Sequence, residues 1–219
     1  MKLQNVLTFL KDLKENNHKE WFDANRSSYE DARRSFLEFT AKLIEGLSGM
    51  DPALAGLKPK DCVFRIFRDV RFSNDKSPYK TNFGAFFSKG GRKKPFAGYY
   101  VHLEPGGSFA GGGIYMPPGD VLNLVRKEIY YNPEKFKSIL YSDDFRQEFG
   151  EMFDHKLQRP PQGFDKSFAD MELLKYKSYV VGRNVDDNTA GGEDYAAHVL
   201  NSYRVMKPLV DFLNQALDQ

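Results

Sequence analysis

Apolar residues along this chain change their spacing twice. Over residues 3–14, Leu3, Val6, Leu7, Leu10 and Leu13 recur three and four apart, as one buried face of a helix requires. Tyr29, Ala32, Phe36, Phe39, Leu43 and Leu47 carry the same spacing on to about residue 48. The period then falls to two in short aromatic runs at 62–72, 83–87, 98–104 and 108–115, separated by Ser-Pro, Gly-Gly and Pro-Gly-Gly turn signals. Over 193–217 Tyr195, Val199, Tyr203, Met206, Val210, Leu213 and Leu217 restore the helical spacing. A pattern of one period cannot bury its apolar face in the other conformation. The chain is therefore expected to be α+β: a central, mostly antiparallel sheet of four or five strands (roughly 62–115, with 176–181 as an edge strand), flanked by N-terminal and C-terminal helices.

Polar punctuation marks the element boundaries. Asn17 with Glu20, and Ser27 with Glu30, read as caps opening two helices, and Gly49 and Pro52 close the second. Pro105-Gly106-Gly107 reads as a hairpin connection. Pro117 to Asp120 opens a helix carrying Val121, Leu122, Val125 and Ile129; Asn132 and Pro133 start another, with Asn as cap and Pro at the first helical position. Phe145 and Phe149 suggest one more turn, and 151–170 is a polar surface loop. Pro208 should kink or split the last helix. With no repeat and no linker, residues 1–219 read as a single domain.

Two of the excluded classes follow from composition. One cysteine, Cys62, rules out an internal disulfide and suits a reducing compartment. No run approaches the roughly 18 apolar residues of a membrane span, and the first residues lack signal-peptide character. A cytoplasmic location with no membrane partner is expected.

Charge is unevenly distributed. Residues 58–94 hold eleven Lys or Arg against Asp61, Asp69 and Asp75, a local balance of +8 in a chain whose total is +2. Such concentration is a cue for an anionic partner. Within it, residues 65–80 carry the densest chemistry. Read as a strand, 63–72 places Phe64, Ile66, Arg68, Val70 and Phe72 on one face, apolar except for Arg68. A guanidinium among buried rings keeps its proton and must find a carboxylate, carbonyls or a bound anion. On the other face Arg65 and Arg71 flank Asp69, an arrangement that can hold a carboxylate in a fork. Residues 73–79 read as a turn whose side chains bond backbone groups, with Lys76 and Lys80 extending the basic character.

The series Arg65-x-x-Arg68-Asp69-x-Arg71-Phe72-x-x-Asp75-Lys76-x-x-Tyr79 resembles the signature of the bacterial proteins called domain of unknown function 2461. The likeness extends to Asn16-Asn17-x-x-x-Trp21-Phe22 and to Gly111-Gly112-Gly113, and covers the first 130 residues best. It implies a shared grouping; no activity, cofactor or catalytic residue comes with it.

Three readings of the 65–80 segment stay open. The first is a site for a small phosphorylated or carboxylated ligand lined by Arg65, Arg68, Arg71, Lys76, Tyr79 and Lys80, with Asp69 or Asp75 as candidate base if chemistry occurs there. A nucleic-acid-binding module on the basic face 58–94 is the second, using Lys89, Arg92, Lys93 and Lys94 beside Tyr99 and Tyr100. The third is an internal ion network that fixes a loop, in a protein whose kinked C-terminal helix docks another chain.

Elsewhere the signals are weaker. His18, His102, His155 and His198 are scattered without ligand spacing, so no metal is expected, and no cofactor motif appears. His102 and Glu104 alternate on one strand face, as an acid/base pair or as a solvent-facing polar row. Gly111-Gly112-Gly113 fits close strand packing better than a phosphate loop.

Overall fold

The computed structural model describes residues 3–218. The chain opens with α1 (Gln4–Glu15), α2 (Lys19–Ala24) and the long α3 (Arg26–Met50). A single 3₁₀ turn (Pro52–Leu54) and the short α4 (Pro59–Cys62) lead to three strands, β1 (Phe83–Ser88), β2 (Gly98–Leu103) and β3 (Phe109–Ile114). Four helices follow: α5 (Gly119–Tyr131), α6 (Pro133–Leu140), α7 (Asp143–Phe149) and α8 (Met171–Leu174). The strand β4 (Tyr179–Asn184), α9 (Asp187–Gly191) and α10 (Tyr195–Gln215) complete it. The strands form one antiparallel sheet in the order β1-β2-β3-β4. The fold is α+β, as the change of period requires.

Strand alternation gives the sheet an inner and an outer face. Ala85, Phe87, Tyr99, Val101, Leu103, Ala110, Ile114, Tyr179 and Val181 point inward and are buried with Phe36, Leu43, Val199, Tyr203 and Met206 of α3 and α10. The Phe39 and Tyr195 rings stack at 5.1 Å between those two helices. Gly112 is what lets α10 approach β3: a Cβ there would stand 2.7 Å from the Met206 sulfur and against the Gly98 carbonyl. The three consecutive glycines thus serve close packing within the sheet. On the outer face the register aligns Gly84 with His102 and Phe109, and Phe86 with Tyr100, Gly111 and Gly182.

Several expected boundaries move. The run 62–72 is not a strand. Pro59 starts α4, and only Val63 and Phe67 make isolated bridges, to Ala85 and Tyr79. Phe64 donates its N–H to the Gly84 carbonyl beside β1; thereafter the backbone pairs with its own return limb, Arg68 N–H to Pro78 O and Lys80 N–H to Ile66 O. The segment leaves the sheet as an irregular hairpin. Its supposed apolar face is therefore buried only at Ile66: Phe64 and Val70 are half-buried, and Phe72 at the tip is 96% exposed.

The caps differ too. His18 rather than Asn17 caps α2, and α3 begins at Arg26, one residue before the supposed Ser27 cap, with Glu30 meeting Arg26 instead. Asn132 occupies the cap position of α6, but its side chain turns back onto Glu128. Pro208 does not split α10, which runs through it while Met206, Leu209 and Val210 hold the flanking turns in the core. The edge strand comes three residues later than expected, at β4.

Candidate functional site

The hairpin 64–80 is anchored at its base and organised at its tip. At the base, Asn17 grips the backbone of Tyr79 on both sides, its Nδ2 donating to the Tyr79 carbonyl (2.9 Å) and its Oδ1 accepting from the Tyr79 N–H (3.1 Å). The Tyr79 ring, buried, stacks on Phe22 of α2 at 4.0 Å with the planes 12° apart. Phe67 completes that cluster, 5.5 Å from Tyr79.

At the tip, Arg68 finds its partner within its own loop. Its guanidinium pairs with Asp75 and donates to the Ser77 carbonyl at 3.1 Å. It is also a quarter exposed rather than enclosed by rings. Asp75 Oδ1 accepts from the Ser77 hydroxyl and the Ser77 N–H. Those two bonds first, and Arg68 after them, hold the carboxyl down at a pKa of about 2. Arg71 and Asp69 form a separate, exposed fork, with Nε and Nη2 each on one carboxylate oxygen at 2.9 and 2.7 Å. The Arg71 side-chain bonds, then its N–H, lower the Asp69 pKa. Lys76 donates to the Val70 carbonyl at 3.0 Å. Asp69, Asp75 and Lys76 are thus engaged in shaping the loop.

A different subset of the basic residues converges beside β1. Phe64, which alternation places on the outer face, carries the Lys80 ammonium 5.5 Å from its ring centroid and the Arg92 guanidinium 5.3 Å from it. Arg92 donates its Nε–H to the Asp61 carbonyl, not to a carboxylate. Arg65 lies close enough to act on Lys80 electrostatically. Burial first, then Arg65 and Arg92, push the Lys80 pKa below the usual lysine value. Among the described residues none of the three cations has a carboxylate within ion-pair distance.

The outer face continues from Phe64 into a hydrogen-bonded series on β2. The Tyr100 ring lies 6.2 Å from Phe64, and its hydroxyl is 3.0 Å from His102 Nδ1. His102 Nε2 is 3.0 Å from Glu104, whose other oxygen accepts from the Thr81 hydroxyl at 2.7 Å. Ionised Glu104 accepts a hydrogen bond from Nε2–H, and in that tautomer Nδ1 accepts from the Tyr100 hydroxyl. Burial works to raise the Glu104 pKa, but the bonds from His102 and Thr81 outweigh it and the carboxyl stays below its ordinary value. Burial, followed by the charge of Glu104, pushes the Tyr100 phenol up to about 12, so it keeps its proton and donates a hydrogen bond at neutral pH. Gly84 makes room for that hydroxyl, since a Cβ there would sit 2.5 Å from it.

Of the residues the sequence singles out, Arg65 and Lys80 stand together; Arg68, Arg71 and Lys76 serve the hairpin, and Tyr79 is absorbed by the core. Sequence reasoning misses Arg92 as their neighbour because it lies in another connection, and only the fold places it over Phe64. It also misses Tyr100 as the third member of the His102–Glu104 row. Strand period alone was enough to find it, since 100, 102 and 104 share one face. In the basic connection, Lys89 pairs with Asp218, and Tyr99 is buried while Tyr100 faces outward.

No group of His, Cys, Asp and Glu among the described residues is arranged to hold a metal ion. Among the described residues no helix is long and apolar enough to cross a membrane. No curated protein and no solved structure matches the chain. A family model described as "Conserved hypothetical protein (DUF2461)" does match, over residues 5–212, and the chain belongs to that family.

Proposed function

We propose that the protein binds a small phosphorylated or carboxylated ligand at Arg65, Lys80 and Arg92, on the outer face of the sheet. One observation carries this reading: two cations, Lys80 and Arg92, share one face-on ring with no carboxylate within ion-pair distance, and Arg65 acts on Lys80 beside them, while Arg68 and Arg71 nearby are each paired. Like charges held together cost stability unless something offsets them, and an anion is the group that would do so. In this reading Asp69 and Asp75 organise the hairpin. Any proton exchange with the ligand falls to the Tyr100–His102–Glu104 series, because a carboxylate held at a pKa of about 2 is a poor base at neutral pH.

Calorimetric titration with orthophosphate and pyrophosphate at low salt provides the test. Arg65→Gln and Lys80→Met should each weaken binding by roughly 10- to 100-fold, the loss of one charge-assisted hydrogen bond of about 1.5–3 kcal/mol. Absence of binding, or binding indifferent to both substitutions, overturns the proposal.

A further inference from the structure

The cations are not isolated on that face. Tyr100 lies 5.5 Å from Phe109, and His102 stacks on Phe109 at 4.9 Å with the planes 17° apart. Phe64, Phe86, Tyr100 and Phe109 are all half-buried, and none of them packs against the main core; Tyr100 packs on Phe64 and Phe109, and the Phe86 ring lies over Gly98. At the far end Phe153 is 48% exposed and lies over Gly182. By register, Gly84, Gly111 and Gly182 share this face and put no side chain between the rings. The result is an aromatic shelf, partly open, with a positive charge cluster at one end.

We infer that the anion bound by Arg65, Lys80 and Arg92 is the phosphate of a nucleotide, whose base lies on the shelf beyond Phe64. This rests on the anion-binding reading above and adds the ligand's class. A phosphate or carboxylate alone needs only the cations. Half-exposed rings beside them fit a ligand that joins an anion to a flat apolar face. Any base supplies such a face, and stacking on aromatic side chains is tolerant of which base it is. Phe64 itself is occupied by the two cations and one face of Phe109 by His102, so the ring surface left for the base is that of Tyr100 and the other face of Phe109. Asn82 Nδ2, with one N–H near His102 and a second to spare, supplies a donor at its polar margin, where the Tyr100 and Thr81 oxygens can accept.

Orthophosphate, ribose 5-phosphate, adenosine and 5′-AMP, titrated calorimetrically against the full chain, separate the two layers of the argument. The expected result is that 5′-AMP binds about tenfold or more tightly than ribose 5-phosphate, the effect of one stacked base. Phe109→Leu should remove most of that increment and leave orthophosphate binding unchanged. Saturation-transfer NMR on the unsubstituted protein should show transfer to the adenine protons, a readout that needs no variant to fold. Equal affinity for 5′-AMP and ribose 5-phosphate, both lost in Lys80→Met, overturns the nucleotide while the anion site stands. Adenosine binding as well as 5′-AMP overturns the anion site instead. A single-stranded oligonucleotide bound in preference to 5′-AMP, with steep salt dependence, overturns the small-molecule ligand in favour of a strand.

Discussion

Lys80 illustrates what the cation cluster does to the protein that carries it. The side chain is half-buried, and burial together with Arg65 and Arg92 disfavours its charged form. A lysine whose folded pKa lies below its unfolded value subtracts stability at neutral pH, and the deficit fades as pH climbs through the lysine range. Replacing the ammonium with an apolar group of similar length keeps the contact with Phe64 and removes the repulsion. Lys80→Met is therefore expected to stabilise the free protein by about 0.5–2 kcal/mol, the usual size of a relieved surface-charge conflict. Urea denaturation measures it. A loss of stability would mean that Lys80 has a structural partner and that the cluster is not under tension.

At the scale of elements, the hairpin 64–80 is the part whose order depends most on ionisation. Its tip is held by Asp75 accepting from Ser77 and Arg68, and that carboxyl titrates at about 2 when folded against an ordinary 3.8. A depressed carboxylate contributes stability that is complete above its unfolded pKa and is lost as pH falls through the folded one. Protection of the Arg68 and Ser77 amides against hydrogen exchange should accordingly fall between about pH 4 and pH 2, ahead of the sheet. Asp75→Asn should show low protection with no such step; an unchanged profile in that variant would relocate the anchor.

Much of this element was legible in the sequence. The strand reading singled out Arg68 as an enclosed cation; the segment is no strand and the guanidinium is a quarter exposed, yet it does have a carboxylate partner, in Asp75. The hairpin itself was not legible, because alternation over 63–72 says nothing about which backbone the segment pairs with. Phe64 bonds to β1 while Arg68 bonds to Pro78, and that division is set by Asn17 and Phe22 gripping Tyr79, more than fifty residues away in the chain. The period-two row of Tyr100, His102 and Glu104 lay open to the same reading. The conjunction of Phe64 with Arg92 depends on the path of the β1–β2 connection.

In the whole molecule, helices from both ends of the chain meet over one sheet. Leu3 and Leu10 of the N-terminal region, Phe36 and Leu43 of α3, Val101 of β2, and Tyr203 and Leu213 of α10 belong to a single buried cluster. Elements that share one core lose it together, so unfolding should be two-state. Far-ultraviolet and near-ultraviolet circular dichroism should give superimposable urea transitions. Separated midpoints would show that the N-terminal helices form a unit of their own.

The sheet also ends in an unusual way on both sides. Beyond β1, the Gly84 carbonyl is taken by the Phe64 N–H; beyond β4, the Val180 carbonyl is taken by the Phe153 N–H, and Lys156 bridges to Tyr176 just below. Neither stretch is a regular strand, so each covers an edge without presenting a new one of its own. Exposed edges are templates for pairing with other chains, and irregular covers are one way native sheets blunt them. The hairpin that brings Arg65 and Lys80 to Arg92 thus doubles as a guard against self-association. Loss of the Asn17 grip on Tyr79 at the hairpin base would remove that guard, and aggregation seeded along β1 is the form in which the loss would become visible.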